Sequence, residues 1–225
     1  MSVAESTLDN PVWAALTGPH RRFAERRGGA VRYRPDVAPF ASVDSPAAWP
    51  DMAALAGPGA VVVVAGVPAP VDWEVIEELP GVQLVDAGVA ASPFPEAVRL
   101  TAADVPEMLD LVARTQPGPF RERTLELGTY LGVRREGRLV AMAGERLRLP
   151  GWTEVSAVCT DPAARGQGLA TSLVSALVAG IRTRGDQALL HAAATNTGAI
   201  RLYESMGFRL RAKPVFALIR VPAGS

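Results

Sequence analysis

The chain has 225 residues, is 48% hydrophobic and 20% charged, and balances 23 basic against 23 acidic side chains. Such a composition suits a folded globular protein of one large or two small domains and offers no basic footprint for nucleic acid. Apolar runs fall short of a membrane span, the N-terminus with Glu5 and Asp9 lacks a basic-then-apolar leader, and a lone cysteine, Cys159, excludes an internal disulfide and a cysteine-based zinc cluster. A cytoplasmic protein without a metal site, a nucleic-acid partner or a membrane partner is expected.

In chain order, residues 1–95 show strand-like runs at 30–33, 60–65 and 82–86, with helical stretches predicted at 47–56 and 73–78. Gly57-Pro58-Gly59 and Pro68-Ala69-Pro70 punctuate them, and no catalytic motif falls here. Ser92-Pro93-Phe94-Pro95 reads as a linker. A strand is predicted at 98–100, then a helix capped by Thr101 or Asp104 that runs to about Thr115 and ends before Pro117-Gly118-Pro119-Phe120. Strands at 129–135 and 139–147 flank the turn Glu136-Gly137-Arg138, and a third covers 152–160. A long helix follows, with Leu169, Leu173, Leu177 and Ile181 on one stripe and Ala170, Val174 and Val178 beside it. Another strand, a helix closed by Gly207, and two final strands complete a mixed α+β arrangement. The expected division is a smaller α+β region over 1–95 and a second domain over 96–225.

The junction between the third strand and the long helix carries the chemistry. Val158-Cys159-Thr160 leads into Arg165-Gly166-Gln167-Gly168-Leu169-Ala170-Thr171. A turn of small residues at a helix N-terminus leaves backbone N–H groups exposed at the positive end of the helix dipole, which makes an anion site. Side chains at Gly166 and Gly168 would hold a diphosphate away from that backbone. Leu169 after Gly168 excludes the Lys-Ser/Thr ending of a nucleotide-triphosphate loop, and the three-glycine dinucleotide fingerprint is absent. The spacing Arg165-x-x-Gly168-x-Ala170 resembles the acetyl-CoA loop of the GNAT superfamily of N-acetyltransferases. Downstream, Asn196-x-x-Ala199-x-x-x-Tyr203-x-x-x-Gly207-Phe208 resembles that superfamily's closing motif. Asn196 and Tyr203 lie two helical turns apart and drift only ~20° around the axis. The resemblance covers about residues 97–225, and the region before it resembles the glycine N-acyltransferase-like branch, where a degenerate GNAT-like half precedes a working one.

The resemblance implies a GNAT acyl-CoA N-acyltransferase fold and direct transfer of an acetyl group from the co-substrate acetyl-CoA to an amine. It implies that Val158, Cys159 and Thr160 meet the pantetheine arm through their backbone and that Arg165, Gly166, Gln167, Gly168, Leu169, Ala170 and Thr171 hold the diphosphate. Asn196 would meet the pantetheine or cap its helix. Tyr203 is the candidate general acid, since a phenol can donate to a leaving sulfur without carrying charge at pH 7. Glu154 ranks first as general base, and simple alternation puts it on one face with Ser156 and Val158. His191 ranks second, because histidine is the side-chain type suited to proton transfer near neutral pH, and Glu145 is the runner-up to Glu154. Cys159 as an acyl-accepting nucleophile is the weaker reading, because a lone strand cysteine is usually a small buried residue. The expected acceptor is a small amine or amino-acid-like molecule, with a protein N-terminus as the other candidate. The alternative to an enzyme is a non-catalytic acyl-CoA-binding or sensing module.

Overall fold

The computed structural model describes residues 7–223. It begins with helix α1 (Pro11–Thr17), whose cap Asn10 accepts a hydrogen bond from the Trp13 N–H at 3.2 Å. Strands β1 (Ala24–Arg27), β2 (Ala30–Tyr33) and β3 (Ala41–Val43) form a small antiparallel sheet. Helix α2 (Trp49–Ala56) and strands β4 (Val61–Ala65) and β5 (Glu74–Asp86) follow. The helix expected at 73–78 is instead the first half of β5, a 13-residue strand. Val75, Ile76 and Leu79 fit a helical period, but the facing edge of a later strand pairs with this stretch from Glu74 to Pro80. Long-range pairing overrides so short a local pattern.

The remaining elements are β6 (Val98–Arg99), α3 (Val105–Thr115), β7 (Tyr130–Arg135), β8 (Arg138–Leu149), β9 (Trp152–Thr160), α4 (Leu169–Thr183), β10 (Gln187–Ala193), α5 (Thr197–Met206), β11 (Phe208–Ala212) and β12 (Val215–Arg220). They complete a nine-stranded mixed sheet in the order β4-β12-β5-β10-β9-β8-β7-β6, with β11 also on β5. The pair β9–β10 is parallel and its neighbours are antiparallel. Position 95/96 falls between β5 and β6, yet β5 is paired on both edges by strands that come after it. β10 takes one edge from Gly81 to Val85, and β11 and β12 line the other.

Both faces of this sheet are covered. On one face α4 buries Leu173, Val174, Leu177 and Val178 against Val82, Leu84, Val155 and Leu190, and Tyr203 of α5 joins the same cluster. Leu173 and Leu177 are fully buried, and truncating either to alanine would cost about 2–5 kcal/mol. On the other face α1 packs Val12 and Leu16 against Val85, Leu149 and Leu189. Beside it α3 packs Met108 and Leu111 against Tyr130, Met142, Ala157 and Cys159. No helix among the described residues is long and apolar enough to cross a membrane.

Candidate active site

The site is a gap built into the middle of the sheet. Pairing between β9 and β10 runs from Trp152↔Gln187 to Val155↔Leu190 and stops there. β9 nevertheless continues to Thr160 and stays paired to β8 on its other edge, as Thr160↔Ala141 shows. The backbone of 156–160 therefore has a free edge in the heart of the molecule, suited to an extended ligand that pairs like a strand. A β-bulge produces the divergence. The β8–β9 register shifts between Met142 and Gly144, and Ala157 adopts a left-handed φ of +51°, an uncommon state for a residue with a side chain.

The bulge also resets which side chains share a face. Val155 and Val158 both pack on the α4 cluster, whereas Ala157 and Cys159 pack under α3. Glu154, next to Val155 in an extended strand, points the other way, toward Arg146 beneath the Phe40 ring. The expectation that Glu154 and Val158 share a face is therefore corrected: one inserted residue between them inverts the alternation.

At the open end of the wedge lies the glycine turn. Gly166 and Gly168 have φ of +78° and +72°, and a β-carbon on either would meet no atom within 4 Å, so the backbone here borders free space. Gly168 caps α4 without a side-chain hydrogen bond, and no acidic residue occupies the first turn. No side chain caps the first N–H groups of α4, the arrangement that can bind phosphate. Leu169 is buried and anchors the turn, while Arg165 and Gln167 are exposed. Arg165 Nε reaches the Thr160 carbonyl at 3.4 Å. Next to the loop, a cleft of about 590 Å³ runs between α4 and α5, lined by Ser92, Phe94, Thr171, Ser175, Leu202 and Met206 among others. The expected linker forms its rim and is strapped down: Ser175 Oγ donates to the Ala90 carbonyl at 2.8 Å and accepts from the Ser92 N–H at 3.0 Å. Free space at the two glycines, uncapped N–H groups and an open strand edge together fit an extended thioester carrying a diphosphate.

Tyr203 is 7% exposed and sits edge-on to Phe208 at 6.1 Å. Burial, with a smaller contribution from Cys159, pushes its phenol up to about 12, so it is protonated near neutral pH. Asn196 is exposed and caps α5, its Oδ1 accepting from the Ala199 N–H at 3.1 Å. Burial pushes the Cys159 thiol up to about 11, against opposing hydrogen bonds from Thr115 and Met142. The thiol form that results is a poor nucleophile.

Glu154 and His191 do come together, but as part of a closed ionic cluster. Glu154 is 0% exposed; Arg146 grips it through Nε at 3.0 Å and Nη2 at 2.6 Å, and His191 Nδ1 lies 2.8 Å from Oε1. Burial alone would raise the carboxyl; the Arg146 charge and the hydrogen bonds from His191 and Arg146 outweigh it and hold the pKa at about 2. His191 Nε2 lies 3.0 Å from Gln83 Nε2, while Gln83 Oε1 accepts from Arg211 at 2.8 Å. That pattern assigns the proton to Nδ1, facing Glu154, and leaves Nε2 to accept from the amide. Glu145 is likewise engaged, accepting from the Thr129 N–H at 3.2 Å and pairing with Arg184 at 2.7 Å. Arg146, Gln83 and the Ala157 bulge escaped the sequence reading. In Glu145-Arg146-Leu147-Arg148 the arginines look like one solvated face, and only the structure shows that the Arg146 side chain is 11% exposed and paired with Glu154.

These features match known proteins. A family model described as FR47-like protein matches residues 130–217. A GNAT-family acetyltransferase of Novosphingobium aromaticivorans is 39% identical, with 97% of this chain and 99% of that one covered and a TM-score of 0.88. The chain belongs to the GNAT family. A GCN5-related N-acetyltransferase from Kribbella flavida, 19% identical over 100% of this chain and 97% of its own with a TM-score of 0.64, shares the fold. A mycothiol acetyltransferase of Thermobispora bispora is 50% identical over 56 residues, which is 24% of this chain and 19% of that enzyme. The match to this curated relative thus spans about a fifth of its length.

Proposed function

We propose that this GNAT protein is an N-acetyltransferase that moves the acetyl group of acetyl-CoA directly onto a primary amine. The observation that carries the reading is the continuous path from the free edge of β9 to the uncapped N-terminus of α4. Backbone groups of Val158, Cys159 and Thr160 would pair with the pantetheine arm and polarise the thioester carbonyl where negative charge develops. The loop from Arg165 to Thr171 would hold the diphosphate, and Asn196 would orient the arm at the start of α5. Much of the rate would come from holding amine and thioester together.

In this reading the Tyr203 hydroxyl, which is protonated near neutral pH, donates to the departing sulfur. Glu154 and His191 serve as a positioning pair. A carboxylate held at about 2 is a poor proton acceptor near neutral pH, so the amine's proton leaves through water. The acceptor we favour is a small amine or amino-acid-like molecule, and the short mycothiol acetyltransferase match supports acetyl transfer rather than that enzyme's acceptor. A cytoplasmic location fits this chemistry.

The experiment is CoA release from acetyl-CoA, read as free thiol across a panel of primary amines, for the wild type and Tyr203→Phe. Amine-dependent release that falls roughly 10²–10⁴-fold in the variant, with acetyl-CoA binding kept, is the expected result. Acetyl-CoA binding without amine-dependent release by the wild type would make the chain an acyl-CoA-binding module. A loss under tenfold in the variant would assign the proton to solvent and leave Tyr203 a packing role.

A further inference from the structure

Three buried side-chain polar atoms among the described residues have no hydrogen-bond partner: Trp49 Nε1, Tyr130 Oη and Thr160 Oγ1. Trp49 is remote from the wedge, packed on Trp73 at 5.1 Å. The other two bracket the bulged stretch of β9. Thr160 ends it, and Tyr130 reaches it from β7 by crossing β8. Tyr130 pairs with Gly144, and a β-carbon on Gly144 would lie 2.2 Å from Cδ1 and Cε1 and 2.5 Å from Cζ of the ring. Glycine at 144 is therefore what lets the ring pass over β8, and Gly144 itself pairs with Ser156 at the start of the bulge. Phe120 holds the ring edge-on at 5.6 Å, and the cluster around it includes Met142, Ala157 and Cys159. The hydroxyl thus ends on the α3 face of β9, opposite the face of α4 and α5. Arg146, Glu154, Glu145 and Cys159 are the charged or titratable groups that act on it there, and burial keeps the phenol protonated far above neutral pH.

A buried hydroxyl without a partner destabilises the fold, and phenylalanine would fill the same space without that cost. Its presence at the one place where β9 opens calls for a use outside the folded protein's own hydrogen bonds. We propose that Tyr130 is an acceptor-positioning residue, whose hydroxyl holds the acceptor amine at the bulge through one water, on the face of β9 opposite the helices that carry the glycine loop. The inference rests on the acetyl-transfer reading and adds the second substrate's side to it. Tyr130 is 1% exposed, so the proposed link to the amine runs through a bridging water rather than by direct contact. The phenol neither gains nor loses a proton in this role.

The test is Tyr130→Phe in the full chain. The expected result is an unchanged or higher Tm, unchanged acetyl-CoA affinity, and a kcat/KM for the amine at least tenfold lower, carried by KM and constant between pH 6 and 9. Gly144→Ala, which pushes the ring aside, should reproduce the amine-side loss. Full kcat/KM in Tyr130→Phe would overturn the proposal. A fall in Tm of several degrees would also overturn it, by showing that the hydroxyl serves the fold. If the wild type releases no CoA with any amine, acetyl transfer itself has failed. Tyr130 is then judged by thermal shift with the same amines: a stabilisation that Tyr130→Phe removes sustains it, and no such stabilisation overturns it.

Discussion

The two sides of the wedge are built by different means. The side of α4 and α5 is local in the chain: strand, glycine turn and helix run consecutively from Trp152 to Thr183, and the groups that would meet a phosphate are backbone N–H groups. The opposite side is assembled from distant pieces. Gln83, Arg146, Glu154, His191 and Arg211 join there through side chains up to 128 positions apart in sequence. Backbone-built sites are specified by where glycine and helix starts fall. Side-chain networks exist only after the sheet has registered. One side can therefore be altered by a single residue in the turn, and the other responds through the stability of the whole fold.

The largest effect should come from separating the halves. A chain of residues 96–225 lacks β5, which β10 pairs on one edge and β11 and β12 on the other. The loss removes a central strand, and whole domains have only about 5–15 kcal/mol of stability. We expect this fragment to show no cooperative thermal transition and to aggregate. A soluble, cooperatively melting fragment would mean that the first 95 residues form a separable domain.

Next in size is Gly168→Glu. The substitution places a carboxylate at the uncapped start of α4 and forces a side chain into φ of +72°. The protein should stay folded by circular dichroism and lose the rise in Tm that acetyl-CoA gives the wild type. Retained stabilisation would move the diphosphate away from this turn.

On the other side, Glu154→Leu should act on stability. It strands the Arg146 charge in the interior, and breaking one partner of a buried pair costs about 3–5 kcal/mol. The double variant Arg146→Met/Glu154→Leu removes both charges and should recover most of that loss in urea denaturation. A single variant as stable as wild type would show that water reaches Arg146 and that the cluster is not a closed one.

The contrast also explains what could be read from the sequence. The elements from Val98 to Arg220 follow local signals. Gly207 ends α5, and a capping box made by Thr101 and Asp104 starts the turn before α3. The Gly166–Gly168 turn and Tyr203 stand out because their two motifs together resemble the GNAT loop and closing motif. Less was legible where pairing decides. The stretch 74–78 has a helical rhythm and is a strand because β12 lies beside it. The orientation of Glu154 relative to Val158 depends on a bulge at Ala157, and alanine carries no bulge signal. α1 and β3 are short segments whose burial, rather than any strong local pattern, defines them, and β1 is defined by its pairing with β2.

The smallest expected effect lies in the N-terminal layer, and pH separates it from the Glu154 cluster. His20 is 3% exposed, with Nδ1 2.9 Å from the Tyr33 hydroxyl and its ring edge-on to Phe23 and Tyr33. Burial lowers its pKa to about 4; a Leu127 backbone hydrogen bond opposes that, and the Arg22 and Arg148 charges add to it. The unfolded chain, with an ordinary histidine near 6.5, binds the proton more readily between those two values. Stability should therefore be full above pH 6.5 and fall as pH drops toward 4, with no further loss from this group below that. At pH 5 the loss amounts to about 2 kcal/mol, and it approaches about 3 kcal/mol at the lower end. Glu154 works in a different window: its folded pKa of about 2 lies below the ordinary carboxyl value of 4.5, so its contribution is complete above 4.5 and is lost between 4.5 and 2. Urea denaturation of the wild type and His20→Gln at pH 7 and pH 5 isolates the first group. The wild type should lose stability between these pH values and the variant should lose about 2 kcal/mol less. Equal losses in both proteins would mean that His20 is hydrated in the folded state and that the N-terminal layer is looser than its packing against β8 and β9 implies.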